Sequence, residues 1–130
     1  MKLRTENNTP ISAISASMDV TKYIELNIDI DYKKTFTGEL LNLWIKATSI
    51  HASTSAITMR ITSDQAGDEI IVPDTTSAIS SGLTTTSSGY AVWRLQTNWS
   101  SNIEKLFIFL AADHGTFNFE EAILVYEVIR

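Results

Sequence analysis

A base that titrates near neutral pH is the first requirement of most hydrolytic chemistry, and this sequence has few candidates. Its two histidines, His51 and His114, both lie in short polar segments that are typical of turns. None of the 14 serines lies in a Gly-x-Ser-x-Gly motif, in which a strained turn presents the hydroxyl to a base. We therefore predict that the protein is not an enzyme and has no catalytic residues.

Carboxylates are the second source of chemistry, because their oxygens are the ligands that calcium prefers. Asp113 lies in a turn-like segment, and Glu120 and Glu121 follow it in an apolar stretch. Adjacent residues of a strand point to opposite faces, which excludes Glu120 and Glu121 as a facing pair for glycoside hydrolysis. We expect no cofactor, and a structural calcium at these three carboxylates is the metal hypothesis. A solvated turn accounts for the other acidic group: Asp64, Asp68, Glu69 and Asp74.

Aromatic rings that stack on sugars are the third possibility. Trp44 and Trp93 lie in strongly apolar stretches, which predicts that both belong to the core. Trp99 lies in a polar connection, where exposure and burial are equally expected. Trp99 and Tyr90 are therefore the candidate ligand-binding residues.

Composition limits the class of protein and its partners. The chain has 130 residues, 10 basic against 15 acidic, a net charge of −5 and a pI of about 4.9, so polyphosphate is repelled and nucleic acid is not an expected partner. It has no cysteine, which excludes disulfides and thiolate chemistry. The polar start at residues 1–10 lacks the apolar run of a signal peptide, and no stretch is long enough for a membrane span. We expect synthesis in a cytoplasm, no signal peptide and no membrane partner.

The pattern of apolar residues predicts an all-β fold. Threonine and isoleucine, at 16 each, are the commonest residues, and β-branched side chains favour strands. Residues 23–32 alternate apolar and polar side chains, while Leu40–Ile50 is apolar on both faces and is predicted to be an interior strand covered on both sides. The remaining predicted strands are Ile11–Val20, Ala56–Thr62, Glu69–Val72 ended by Pro73, Gly89–Gln96, Glu104–Ala111 and Phe117–Ile129. About eight short strands predict a single antiparallel β-sandwich or jelly roll.

Two segments differ from this pattern. Residues 1–10 form a polar N-terminal arm with too few apolar side chains to fold alone, which leaves 11–130 as the sandwich domain. Residues 74–88 are rich in serine and threonine, and a connection of this length is either a functional loop or a partly extended edge segment. Both segments could order against a neighbouring molecule.

The C-terminal third resembles the closing strands of jelly-roll carbohydrate-binding modules. The matching residues are Leu106–Leu110, Gly115-Thr116, Phe117-Asn118-Phe119, Glu120-Glu121 and Ala122–Tyr126, and Leu41–Ala47 is similar to an early strand of the same modules. This resemblance covers about half of the chain and implies a β-sandwich. The family usually has aspartates at the acidic pair, one of which helps to hold a structural calcium. The glutamates of this chain depart from that pattern.

The chain as a whole is similar in composition and organisation to small accessory virion proteins of tailed phages, which coat capsids or form fibres and tail appendages. The features that carry this resemblance are the acidic, cysteine-free composition, the polar arm and the segment Ala66–Thr76. The resemblance implies a non-enzymatic virion protein, most simply a capsid decoration protein, that forms homo-oligomers and binds other virion proteins. The alternative is a carbohydrate-binding module or a fibre or tail adhesin that binds glycans through exposed aromatics.

Overall fold

The computed structural model describes residues 2–28, 37–81, 88–99 and 103–129, and these residues form an all-β fold. Their strands are β1 (Lys2–Asn7), β2 (Ile11–Ile14), β3 (Tyr23–Asn27), β4 (Thr37–Thr48), β5 (Ala56–Thr62), β6 (Ile70–Ala78), β7 (Ser80–Ser81), β8 (Gly89–Trp99), β9 (Lys105–Ala112) and β10 (Phe117–Ile129). Among the same residues, no helix is long and apolar enough to cross a membrane.

The strands form two antiparallel sheets that enclose one core. Sheet A has the order β1-β10-β4-β8-β7, with β2 also paired to β10, and sheet B has the order β3-β9-β5-β6. When β1 and β2 are taken as one interrupted strand, and β6 and β7 as one strand that changes sheets, the arrangement is the eight-stranded jelly roll. The predicted fold class is therefore confirmed.

Several strands lie where the sequence predicts them. The bounds of β5 and β10 agree with the prediction, and β3 begins at Tyr23 as expected. The second half of the predicted strand at 23–32 lies largely outside the described residues. The prediction that Pro73 ends its strand is wrong, because β6 continues through it to Ala78. This strand is at the edge of sheet B and its register with β5 shifts between Met59 and Ile61, and both conditions accommodate a residue without an N–H.

The N-terminal segment has a partner within its own chain. Lys2–Asn7 pairs with β10 in an antiparallel register that runs from Lys2 opposite Glu127 to Asn7 opposite Ala122. The amide of Asn7 also donates to the carbonyl oxygen of Glu25 at 2.9 Å, which ties β1 to the edge of sheet B. Backbone pairing of this kind needs no apolar composition, so it is not visible in the sequence pattern.

The prediction that Leu40–Ile50 forms an interior strand is confirmed, because β4 lies between β10 and β8. The prediction that both of its faces are covered is wrong, and the strand that is covered on both faces is β9. On β9, Leu106, Ile108 and Leu110 belong to the core between the sheets. Phe107 and Phe109 point outward and are nevertheless buried, because Tyr23 packs edge-on against Phe107 at 5.6 Å and the loop around Gly67 covers Phe109. On β4 only one face is covered, and it is the face that carries the core residues Leu40, Leu43, Ile45 and Ala47.

Candidate functional site

The candidate site lies on the outer face of sheet A, the side that faces away from the core. A bulge in β4 between Leu40 and Asn42 interrupts the alternation, so that Leu40 and Leu43 are both buried. Beyond this bulge the alternation resumes, and Trp44 therefore points outward, half-buried. The prediction that Trp44 belongs to the core is thus wrong, because the face of β4 on which Trp44 lies is not covered by another layer.

Trp44 belongs to an apolar band that crosses three strands. It lies opposite Ile123 of β10 on one side and opposite Val92 of β8 on the other. Tyr90, two residues before Val92 on the same face, completes the band, which we define as Ile123, Trp44, Val92 and Tyr90. Tyr90 and Val92 are each 44% exposed. Large apolar side chains grouped on a surface in this way are typical of a binding site.

The two aromatic rings of the band form a shallow platform. The ring centroids of Trp44 and Tyr90 are 6.1 Å apart and their planes differ by 33°. Both residues lie on strands of the same sheet, so backbone pairing fixes the distance between them. An aromatic surface of this kind can accept the apolar face of a sugar ring or of another side chain. The prediction that Tyr90 is a ligand-binding residue remains a prediction, now with Trp44 as its neighbour.

Charged groups border the band at both ends. Beside Tyr90, Lys46 forms an ion pair with Glu120 at 3.5 Å. At the opposite end an open pocket of about 350 Å³ contains two cations, Lys2 and Arg94, and one carboxylate, Glu39. The other residues that line this pocket are Leu41, Asn42, Leu95 and Gln96. The outer face therefore combines an apolar centre with a charged pocket that contains the guanidinium of Arg94.

Trp99, the other predicted aromatic contact, is not on this surface. Its side chain is only 4% exposed and packs edge-on against Tyr126, with ring centroids 5.5 Å apart. It lies opposite Gly38 on β4, and a Cβ at that position would overlap the indole ring. Its indole N–H has no hydrogen-bond partner among the described residues. Trp99 is thus a core residue, and it presents no face to a sugar.

Trp93 is in the core, as predicted. It is 3% exposed and its indole N–H donates to the carbonyl oxygen of Thr75 at 3.0 Å. Since Trp93 belongs to sheet A and Thr75 to sheet B, this bond links the two sheets. The polar end of the indole is satisfied while its rings fill the interior.

The three candidate metal ligands are not brought together. Asp113 accepts hydrogen bonds from the backbone N–H of Ser55 at 3.0 Å, the Ser55 hydroxyl at 2.6 Å and the His114 N–H at 2.8 Å. Glu120 pairs with Lys46, and the register shift between Phe119 and Glu121 leaves both glutamates partly exposed. Within the described residues no group of three carboxylate or imidazole side chains could hold a metal ion.

Asp113 instead joins two turns through its hydrogen bonds, and it makes the free energy of unfolding depend on pH. Hydrogen bonds, chiefly from the Ser55 hydroxyl, hold the pKa of Asp113 well below its usual value of 3.8. The unfolded chain therefore binds a proton at higher pH than the folded chain does. The contribution of Asp113 to the free energy of unfolding is therefore fully present above the usual aspartate pKa. It is lost as the pH falls from that value toward the lower pKa of the folded chain.

We expect Asp113→Asn to flatten this acid dependence. The variant keeps a side-chain oxygen acceptor but cannot titrate, so its stability should fall less steeply than that of the wild type below the usual aspartate pKa. Urea unfolding at a series of pH values measures the slope. Glu69→Gln, on the exposed loop before β6, is the control for removing a carboxylate. Equal slopes in the wild type and the Asp113 variant would contradict the role of Asp113.

The histidines contribute to turns. The Nδ1 atom of His51 accepts the backbone N–H of Ser53 at 3.1 Å and contacts the Ser53 hydroxyl at 2.7 Å. Gly115, in the next turn, lies against both residues, and its φ of 68° and the closeness of His51 leave no space for a side chain. His114 is exposed, and its carbonyl oxygen accepts a hydrogen bond from the Thr54 hydroxyl. The contacts of His51 and Ser53 are local and close a surface turn.

A larger open cleft, of about 590 Å³, lies beside the edge strand β3. Its lining includes Asn7, Pro10, Ile11, Lys22 and Tyr23. The cation in it is already engaged, because the Lys22 ammonium donates to the carbonyl oxygens of Ser12 at 3.1 Å and Ala13 at 3.0 Å. The cleft therefore offers fewer free binding groups than the outer face of sheet A.

No protein-family model matches the sequence, and no curated protein matches it. Solved structures with a similar fold include a 4-O-methyl-alpha-glucuronidase with specificity for decorated arabinogalactans (8% identity, TM-score 0.48, 92% of this chain and 14% of that chain). A chain of infectious bursal disease virus, Gt strain, shows 15% identity and a TM-score of 0.45 over 98% of this chain and 32% of that chain. A chain of cocksfoot mottle virus shows 8% identity and a TM-score of 0.33 over 100% of this chain and 85% of that chain. These similarities are weak and assign no function to this chain.

Proposed function

We propose that the protein is a non-enzymatic structural subunit of a virion, specifically a phage capsid decoration protein. The observation that carries the proposal is the presence of apolar side chains exposed at two separate places on one jelly roll. Large exposed apolar groups mark surfaces that another protein covers. A subunit of a repeated array needs at least two contact surfaces, one for each neighbour or for the shell beneath it.

The first of these surfaces is the apolar band on the outer face of sheet A. The second lies at an end of sheet B, where Ile70 is 53% exposed at the start of β6. Val20, which is 47% exposed, lies beside Gly67, and Gly67 belongs to the loop that precedes Ile70. The band lies on sheet A and Ile70 lies on sheet B, so the two surfaces are separate places for contact with a partner. The partners in this proposal are copies of the protein itself and other virion proteins, and the location is the virion, after synthesis in a host cytoplasm.

The mass of the purified protein at rising concentration, measured by light scattering behind a sizing column, tests the proposal. We expect a closed oligomer whose mass falls to that of one chain in Val92→Glu or Ile70→Glu, because each change buries a charge in an interface. Gln96→Glu places the same charge on the exposed face of β8 outside the band and should leave the mass unchanged. A mass that responds to none of these changes would contradict the assignment of the two surfaces.

Glycan binding, as a carbohydrate-binding module or as a fibre or tail adhesin, is the second candidate function. The observation that favours it is the Trp44–Tyr90 platform, with rings 6.1 Å apart on a rigid sheet. Such rings can stack on the apolar face of a pyranose. Tyr90 keeps the role that the sequence predicts for it, and Trp44 replaces Trp99 as its partner. Quenching of tryptophan fluorescence by oligosaccharides tests this function, in the titration described next.

A further inference from the structure

We infer that the outer face of sheet A binds an acidic oligosaccharide, with a sugar ring on the Trp44–Tyr90 platform and a carboxylate at Arg94. This inference rests on the second function proposed above and adds the chemical class of the ligand. The charged end of the ligand is specified by the pocket that contains Arg94, Lys2 and Glu39. A neutral glycan would offer no anion to Arg94.

The spacing along β8 fits a ligand of several sugar units. Tyr90, Val92 and Arg94 are successive outward-facing residues of this strand, each exposed and each separated from the next by a buried residue. Two residues of a strand span about 6.7 Å, so the backbone positions of Tyr90 and Arg94 are about 13 Å apart. That distance suits a short oligosaccharide that lies along the strand and exceeds the reach of a single sugar.

Arg94 is available for a ligand, in contrast to the other described arginines. Arg60 forms a two-point ion pair with Asp74, at 2.6 and 3.0 Å, and Arg4 pairs with Glu6 at 3.2 Å. Arg94 has no such partner among the described residues. Asn42 lies directly opposite Arg94 on β4 and lines the same pocket. A planar guanidinium binds a carboxylate through two parallel hydrogen bonds, which favours a uronic acid over a neutral hexose.

The charge of the chain as a whole makes this site specific. The protein has a net charge of −5, so an acidic ligand is repelled at most of the surface. The pocket is locally different, because Glu127 lies opposite Lys2 on the same face while Arg94 has no carboxylate partner among the described residues. The carboxylate of an acidic glycan is therefore expected to bind at Arg94, with an affinity that falls as salt screens the contact.

Calorimetric and fluorescence titrations of the full chain test the inference. The probes are oligogalacturonate and oligomannuronate, each paired with the neutral oligosaccharide that is made by reducing its carboxyl groups. We expect the acidic member of at least one pair to bind more tightly than its neutral counterpart. Arg94→Gln should weaken the acidic member about tenfold and leave the neutral one unchanged, since only a charge-assisted contact is lost. Arg4→Gln, on the same face but already paired with Glu6, is the matched control.

Trp44→Ala separates this inference from the glycan-binding function itself. Its side chain is half-buried on the outer face, so the variant should fold, as its melting temperature will show, and should lose binding of both members of the pair. If the acidic and neutral members bind equally and both lose binding in Trp44→Ala, the inferred preference for an acidic ligand is wrong, while the proposed glycan binding stands. Binding that neither variant alters would overturn the location. No binding of any probe would overturn both.

Discussion

Replacing Gly38 with alanine is expected to lower the free energy of unfolding by about 3 kcal/mol. The added Cβ would overlap the indole of Trp99, which is 4% exposed and packs against Tyr126. The ring must leave its site or the two strands must separate, because Gly38 and Trp99 are directly opposite residues of β4 and β8. Urea unfolding measures the loss, and a red shift of the tryptophan emission reports the movement of the ring.

A double-mutant cycle identifies the cause of this loss. Trp99→Leu removes the ring and should destabilise the chain by itself, through the cavity that it leaves. Once the ring is absent, adding Gly38→Ala should cost much less than it does in the wild type, because the overlap has gone. Asn98→Ala, at the exposed neighbouring residue, is the control and should have little effect. Costs that simply add would show that the glycine is needed for a reason other than space for Trp99.

The same pair explains why the sequence misleads about Trp99. Thr97 and Asn98 precede it and a serine follows it, which reads as a polar connection. In the structure Thr97, Asn98 and Trp99 form the end of β8, and the glycine on the neighbouring strand leaves space into which the ring folds. A glycine covered by a cross-strand aromatic ring is a known way to stabilise a sheet. It becomes visible only when the register is known, and one sequence does not contain the register.

The strand boundaries were more predictable than the faces that the strands bury. Alternation or a long apolar run defines β5 and β10 well enough to place both ends. The stretch Leu40–Ile50 is apolar on both faces but β4 is covered on only one of them, so its apolar composition assigns Trp44 to the wrong environment. The strand buried on both faces is β9, whose unbroken apolar run from Leu106 to Ala112 is the clearer signal of such burial. The candidate site was predicted in part through Tyr90, while the roles of Trp44 and Arg94 depend on which face of sheet A is uncovered and on the pairing of β4 with β8.

Replacing Trp93 with alanine is expected to cost about 4 kcal/mol, since it removes a large buried side chain and leaves a cavity. It also removes the indole N–H that donates to the Thr75 carbonyl oxygen at 3.0 Å and links sheet A to sheet B. Trp93→Phe separates the two contributions, because it keeps most of the ring volume and loses the hydrogen bond. We expect the phenylalanine variant to cost about 1 to 2 kcal/mol. Urea unfolding of both variants provides the comparison.

The position of Trp93 connects this stability to the binding surface. Its neighbours on β8, Val92 and Arg94, point to the outer face while Trp93 points into the core. Val92 also accepts, through its carbonyl oxygen, a hydrogen bond from the Ser77 hydroxyl at 2.9 Å, so β8 is held by β6 at two adjacent residues. Loss of Trp93 should therefore loosen the strand that carries Tyr90 and Arg94. If Trp93→Phe costs as much as Trp93→Ala, the hydrogen bond rather than the packed volume holds β8 in place.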